Sequence, residues 1–266
     1  MFDKLLLPID PSKRLRPARN YAIALAQRLS VPLIATYVSN PTKTGTVTAS
    51  KESRRGFEAL GKRQLDQFIE ETTDVKIKPL LKSGKRRKVL AQLIDEGVAD
   101  TLVLGPFRSV LTRLFTGSEV ERILDSESSH AFVVRKEHPL PGSGSPALVV
   151  FDGPILSEKA LKMVEEFSRK FKCDLELLHI GDEILGEAEA IDKAVEQLRN
   201  NLGGDYHVTS TIIPLSFFKT RRGITNSVID SEGARIVILP DIEDAVSDIL
   251  LHQLVLSASV PVCVLR

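Results

Sequence analysis

The chain repeats itself, and that constrains the fold more than any motif it carries. An apolar run ending in aspartate occurs at Leu5-Leu6-Leu7-Pro8-Ile9-Asp10 and returns at Leu148-Val149-Val150-Phe151-Asp152, 142 residues on (152 − 10). The copies close on Ala131-Phe132-Val133-Val134-Arg135 and on Pro261-Val262-Cys263-Val264-Leu265-Arg266, 131 residues apart (266 − 135). The second copy is therefore shorter by about a dozen residues, and two domains follow from the duplication. Between them runs His138-Pro139-Leu140-Pro141-Gly142-Ser143-Gly144-Ser145-Pro146. Proline, glycine and serine at this density continue neither a helix nor a central strand. Residues 138–146 are thus expected to link a first domain, 1–137, to a second, 147–266.

Each half alternates strands with helices. In the first, Leu5–Ile9 has the continuous apolar character of a buried strand. Behind Pro17, a residue suited to a helix start, Ala18, Tyr21, Ala22, Leu25, Ala26 and Leu29 share one helical face. Strands at 33–38, 75–81, 101–104 and 131–134 follow, separated by stripes at Phe57–Ile69, Val89–Ile94 and Val120–Leu124. The second half repeats the order, with strands at about 148–151, 175–180, 207–213, 235–239 and 261–265. Its helices carry Leu161–Phe171, Ile184–Leu202, Val228–Ile229 and Ile242–Leu250. Strands joined through helices pair in parallel by right-handed crossovers. The predicted fold is α/β: two tandem domains, each a five-stranded, mostly parallel sheet with helices on both faces. Ligands of such sheets lie beyond the carboxyl ends of the strands, where strand order reverses.

Composition removes several function classes. Lys+Arg 36 against Asp+Glu 35 leaves a formal charge of +1, too small to attract a nucleic acid or an anionic membrane with the whole surface. No apolar run approaches the roughly 18 residues of a spanning helix. The opening residues are too quickly charged for a signal peptide. The two cysteines, Cys173 and Cys263, have neither disulfide-framework nor metal-ligand spacing. A soluble cytoplasmic protein is expected, binding neither nucleic acid nor membrane.

One constellation could carry chemistry. Val103-Leu104-Gly105-Pro106-Phe107-Arg108 ends an apolar strand, and Leu114-Phe115-Thr116-Gly117-Ser118-Glu119 opens a helix after a loop. Unpaired amides and the aligned dipoles of a helix start attract anions. Gly117 admits a phosphate close to the backbone, Ser118 has a hydroxyl to donate, and Arg108 and Arg113 can neutralise charge. Ser118-Glu119-Val120-Glu121 is equally a capping box, which needs no ligand. Lys85-Arg86-Arg87-Lys88 opens another helix; such a run is usually a solvated face. The five histidines are dispersed, and His179 reads as a satisfied core or strand-end residue. No zinc spacing, nucleophile elbow or Gly-Lys-Ser/Thr phosphate loop appears.

Taken together, the Pro8-Ile9-Asp10 strand end, the approach Glu96-Gly97-Val98-Ala99-Asp100-Thr101-Leu102-Val103-Leu104-Gly105, the stretch Leu114 to Leu124 and the closing Phe132-Val133-Val134-Arg135 resemble the universal stress proteins in their tandem two-domain form. The resemblance implies a Rossmann-like fold of the adenine-nucleotide alpha-hydrolase type. It also implies a family with ATP-binding and non-binding branches, whose domains pair through their last strands. Nucleotide-binding members show glycine, two residues, glycine, nine residues, then glycine with serine or threonine. Gly105 takes the first place and Gly117-Ser118 the last, but Arg108 replaces the second glycine and the spacer has eight residues, 109–116. Arg108 either fills the phosphate space or offers a guanidinium to it. By the same resemblance Asp10 lies near base and ribose, Val38 meets adenine through its backbone, and Leu104 precedes the first glycine.

The second copy keeps Asp152, with Ile180 where Val38 stands. After Leu239, however, comes Pro240-Asp241-Ile242-Glu243-Asp244, without glycine or Gly-Ser, and its carboxylates repel a triphosphate. The expected function is a regulatory protein that binds ATP or another adenine nucleotide in its first domain only, with Mg²⁺ only if ATP binds. At most it hydrolyses ATP slowly, since no general base is evident. The alternative is a nucleotide-free module acting through an unidentified protein partner. A nucleotidyl transferase is disfavoured, because the histidine pair such enzymes place after strand one is missing from Ile9-Asp10-Pro11-Ser12. Within one chain the halves are expected to pair through their last strands; a homodimer of whole chains stays open.

Overall fold

The structure, a computed structural model, describes residues 1–10, 15–39, 51–105, 129–152, 156–181, 185–213, 233–240, 250–251, 254–255 and 258–266. The chain separates into two compact units, Met1–Ala131 and Phe132–Arg266. The first opens with β1 (Leu5–Ile9), α1 (Arg16–Leu29), β2 (Leu33–Ser39), α2 (Lys51–Glu70), β3 (Ile77–Ser83), α3 (Arg86–Asp95) and β4 (Thr101–Leu104), and reaches β5 (His130–Val133). The second holds β6 (Ala147–Phe151), α4 (Glu158–Phe171), β7 (Leu175–Ile180), α5 (Leu185–Leu202), β8 (Val208–Ile213), β9 (Ile236–Pro240) and β10 (Val262–Leu265). The stripes read at Val120–Leu124 and Val228–Ile229, and that at Ile242–Leu250 except Leu250, lie outside the described residues.

The strands of the first copy run β3-β2-β1-β4-β5, with β1 parallel to both β2 and β4 and β2 parallel to β3. Those of the second run β8-β7-β6-β9-β10, again parallel throughout the same pairs and from β9 to β10. The α/β fold read from the alternation is therefore the fold adopted. The repeat extends to register. Leu5 sits between Leu33 and Thr101, and Ala147 between Leu175 and Ile236. It extends to helix ends as well: α1 stops at Ser30 with φ 55°, α4 at Lys172 with φ 50°, both left-handed. Leu33 and Leu175 stand 142 residues apart (175 − 33), whereas their neighbours across the next ladder, Ile77 and Val208, stand 131 apart (208 − 77). The shortening of the second copy thus falls between its second and third strands.

Burial follows the pattern of the sequence. Leu5, Leu6, Leu7, Leu33, Leu102 and Leu104 have no exposed surface, nor do Ala18, Ala22 and Leu25, which α1 turns toward them. Each fully buried leucine contributes about 1.5–3 kcal/mol over an exposed one. Pro17 is the second residue of α1, whose first turn needs no donor there. The third strand begins at Ile77 instead of Val75 and runs on to Ser83. It is the outermost strand of its copy and largely exposed, so apolar content alone misplaces its ends. Both cysteines are buried, and burial pushes the Cys263 thiol well above its ordinary value.

Candidate functional site

In the first unit the chain goes outward from β1 to β2 and β3, then returns across to β4 on the other side of β1. Right-handed connections in opposite directions leave a crevice at that reversal, beyond the carboxyl ends of β1 and β4. Of the residues singled out in the sequence, Asp10, Val38, Leu104 and Gly105 are described, and they stand at these strand ends. Asp10 directly follows β1, and Gly105 directly follows β4, whose last residue is the fully buried Leu104. Ile9 is level with Tyr37, so Asp10 emerges one step further, beside Val38 near the end of β2. Arg108, Arg113, Gly117 and Ser118 lie outside the described residues.

Asp10 is engaged already. Its Oδ2 lies 3.2 Å from Nη1 of Arg86, with the two side chains 31% and 19% exposed. The path of the chain explains why they meet. The Gly84 amide donates to the Ser39 carbonyl at 2.8 Å, tying the end of β3 to the end of β2. Gly84 has φ 142°, a conformation side chains rarely adopt, and turns the chain into α3. Val89, Leu90, Leu93 and Ile94 anchor that helix in the core, which fixes its first residue, Arg86, over the crevice. Lys85, Arg87 and Lys88 are exposed, as a solvated run should be; Arg86 is half-buried and departs from that reading. A charge run in a sequence carries no sign of which member turns inward.

Tyr37 is the residue that sequence reasoning missed. Burial pushes its phenol above the ordinary value, the Asp10 carboxylate pushes it further, and the Arg86 guanidinium pulls it back. Its ring packs so close to α2 that a Cβ on Gly61 would stand 2.5 Å from Tyr37 Cδ1. The signal available was an aromatic beside Val38 at a strand end, which periodicity assigns to the core.

Gly105 has a structural task of its own. A Cβ there would lie 3.0 Å from Leu15 Cδ1 and 3.2 Å from the Ala18 Cβ, so glycine lets β4 approach the start of α1. In the second unit the register that places Thr101 beside Leu5 places Ile236 beside Ala147, and Pro240 then stands where Gly105 does. Asp152 follows β6 as Asp10 follows β1. The acidic residues Asp241, Glu243 and Asp244 lie outside the described residues. His179 replaces Tyr37: it is 1% exposed, lies against the Phe151 ring at 5.1 Å, and its Nδ1 has no hydrogen-bond partner among the described residues. His179 stands near the strand end, as read, and no partner for its Nδ1 is found among the described residues. Among the described residues no group of three or more His, Cys, Asp or Glu could hold a metal ion. No helix among them is long and apolar enough to cross a membrane.

The model of the universal stress protein family matches residues 1–135. The chain belongs to that family. Its fold is shared along nearly its whole length with a universal stress protein of Archaeoglobus fulgidus, at 16% identity and a TM-score of 0.70 over 99% of this chain and 96% of that one. A putative universal stress protein of Pseudomonas aeruginosa aligns over 99% and 93% at 13% identity, with a TM-score of 0.61. The cytoplasmic domain of a prokaryotic cation chloride cotransporter aligns over 99% and 95%, also at 13% identity, with a TM-score of 0.56. At such identities these likenesses speak for the fold alone. No curated protein matches the chain in sequence.

Proposed function

We propose that the chain is a regulatory, adenine-nucleotide-binding universal stress protein whose site lies in the first unit. Base and ribose lie against Asp10 and the Val38 backbone, beside Leu104, and the phosphates run toward Gly105, Arg108, Gly117 and Ser118. One observation carries this reading: Asp10 and Gly105 flank the reversal of strand order, where sheets of this kind open a crevice to ligands. The chemistry of the described residues fits the base-and-ribose end, with a carboxylate and a strand-end backbone to accept and donate. Mg²⁺ accompanies the ligand only where that ligand is ATP. The second unit keeps a carboxylate, but Pro240 in place of Gly105 offers no amide hydrogen to a phosphate. That unit is read as a copy retained for architecture or for a protein partner.

The Asp10–Arg86 contact favours a second reading, a nucleotide-free module acting through partners, because it occupies the carboxylate before any ligand arrives. Denaturing the purified protein and analysing the supernatant by chromatography separates the two. Release of ATP, ADP or AMP in near-stoichiometric amount supports the site. If nothing is released and saturating nucleotide leaves the melting temperature unmoved, the second reading stands. Ligand at a hundred times its Kd adds about 2.7 kcal/mol to stability, so a true site cannot escape a thermal-shift titration.

A further inference from the structure

Arg86 faces Asp10 across the crevice, and it lies outside the stretches on which the family resemblance rests. A free carboxylate at this place would accept two hydroxyl donors from a ribose diol, each a charge-assisted hydrogen bond. With Arg86 Nη1 at 3.2 Å, Oδ2 of Asp10 already has a donor and the carboxylate charge is balanced. The backbone that carries the guanidinium is held in place. It sits on the first residue of a helix whose apolar face is buried, just after a turn held by Gly84 and Ser39. A neutral hydroxyl is a weaker partner for a carboxylate than a guanidinium is, so it displaces Arg86 only at a cost.

We propose that Arg86 is a specificity-determining residue of the first unit: by holding Asp10 it makes the site indifferent to the ribose hydroxyls, so that ribo- and deoxyribonucleotides of adenine bind alike. This rests on the nucleotide reading above and adds to it the selectivity at the sugar. Affinity then comes from the base and the phosphates.

The test compares ATP with 2′,3′-dideoxy-ATP by calorimetry, on the full chain and on its Arg86→Ala and Arg86→Lys variants, each first checked for native circular dichroism. The wild type should bind the two nucleotides with a ratio near one. Arg86→Ala, which takes the guanidinium off the carboxylate, should favour ATP by about fivefold, the factor expected when an ion pair of this exposure is removed from competition. Arg86→Lys keeps the charge without the planar fork and should fall between them. A wild type that already prefers ATP, with the preference unchanged or lost in Arg86→Ala, overturns the proposal and makes Arg86 a support for ribose recognition. Equal weakening of both nucleotides in Arg86→Ala also overturns it, and makes Arg86 a phosphate ligand. Silence of all three proteins toward both nucleotides refutes the nucleotide reading itself, and this selectivity with it.

Discussion

Replacing Gly61 by alanine sets two known effects of opposite sign against each other. In the middle of α2, alanine is favoured over glycine by about 1 kcal/mol, because it loses less backbone freedom on folding. Its Cβ, however, would stand 2.5 Å from Tyr37 Cδ1, 2.7 Å from Leu81 Cδ1 and 2.9 Å from Tyr37 Cε1. Ordinary carbon contacts are about 3.5–4.0 Å, so the ring must retreat by about 1 Å. Leu81 can yield, being 39% exposed on an outer strand. Tyr37 cannot easily do so: it is 8% exposed, and its backbone is locked between Ile9 and Leu81. Overpacking of this kind costs about 1–3 kcal/mol, and the rigid neighbour puts this site in the upper part of that range. The clash wins, with a net loss of about 1–2 kcal/mol. Gly56 on the same helix is the control, since its Cβ would meet nothing within 4 Å. Gly56→Ala should stabilise by about 0.5–1 kcal/mol. The two variants should therefore separate by about 2 kcal/mol in urea unfolding, or about 4–8 °C in Tm. In a Tyr37→Leu background the Gly61→Ala penalty should shrink, which is the coupling expected of residues in contact. If Gly61→Ala matches or exceeds the wild type, or if both glycines respond alike, the packing argument is refuted.

Two further outcomes follow from the site and from charge. Gly117→Asp puts a carboxylate where the phosphates are proposed to lie; it should abolish ATP affinity in a thermal-shift titration while the unliganded Tm stays within about 2 °C of wild type. Burial pushes the His138 imidazole below its ordinary value, Arg235 adds to that, and a backbone hydrogen bond at Pro139 partly offsets it. The unfolded chain then binds the extra proton first as pH falls, so stability drops from about pH 6.5 downward, before the carboxylates titrate. His138→Gln should flatten urea midpoints measured between pH 7 and pH 5.

How much of this was legible in the sequence varies along each strand. The apolar ladder was plain, because full burial leaves little choice of residue type at Leu5–Leu7 or at Ala147–Val149. The aspartates closing β1 and β6 were legible for the same reason, as the first polar residues after an apolar run. Strand ends on the outer strands were not. β3 alternates little and is mostly exposed, so burial does not mark where it starts. Nor was the pairing of Asp10 with Arg86, which stand 76 residues apart and meet only because a glycine turn delivers α3 over the crevice. Spacing rules read neighbours along the chain, and this contact is made across three strands.

The two copies differ in residue type at the strand ends where the candidate site lies. Register and helix caps coincide between the copies because packing enforces them: a one-residue slip would turn a buried face outward. At the carboxyl ends the residue types change: His179 stands where Tyr37 does, and Pro240 where Gly105 does. Gly105 by itself is weak evidence for a phosphate, since its missing side chain is already explained by Leu15 and Ala18. Asp10 has no such packing role: it is partly exposed and borders the strand reversal, and its charge is held by a side chain that α3 positions there. The pair is partly buried at the mouth of the crevice, with the carboxylate 31% and the guanidinium side chain 19% exposed. On the proposed reading their effect is on what enters, and the selectivity at the sugar is the property that changing Arg86 should move.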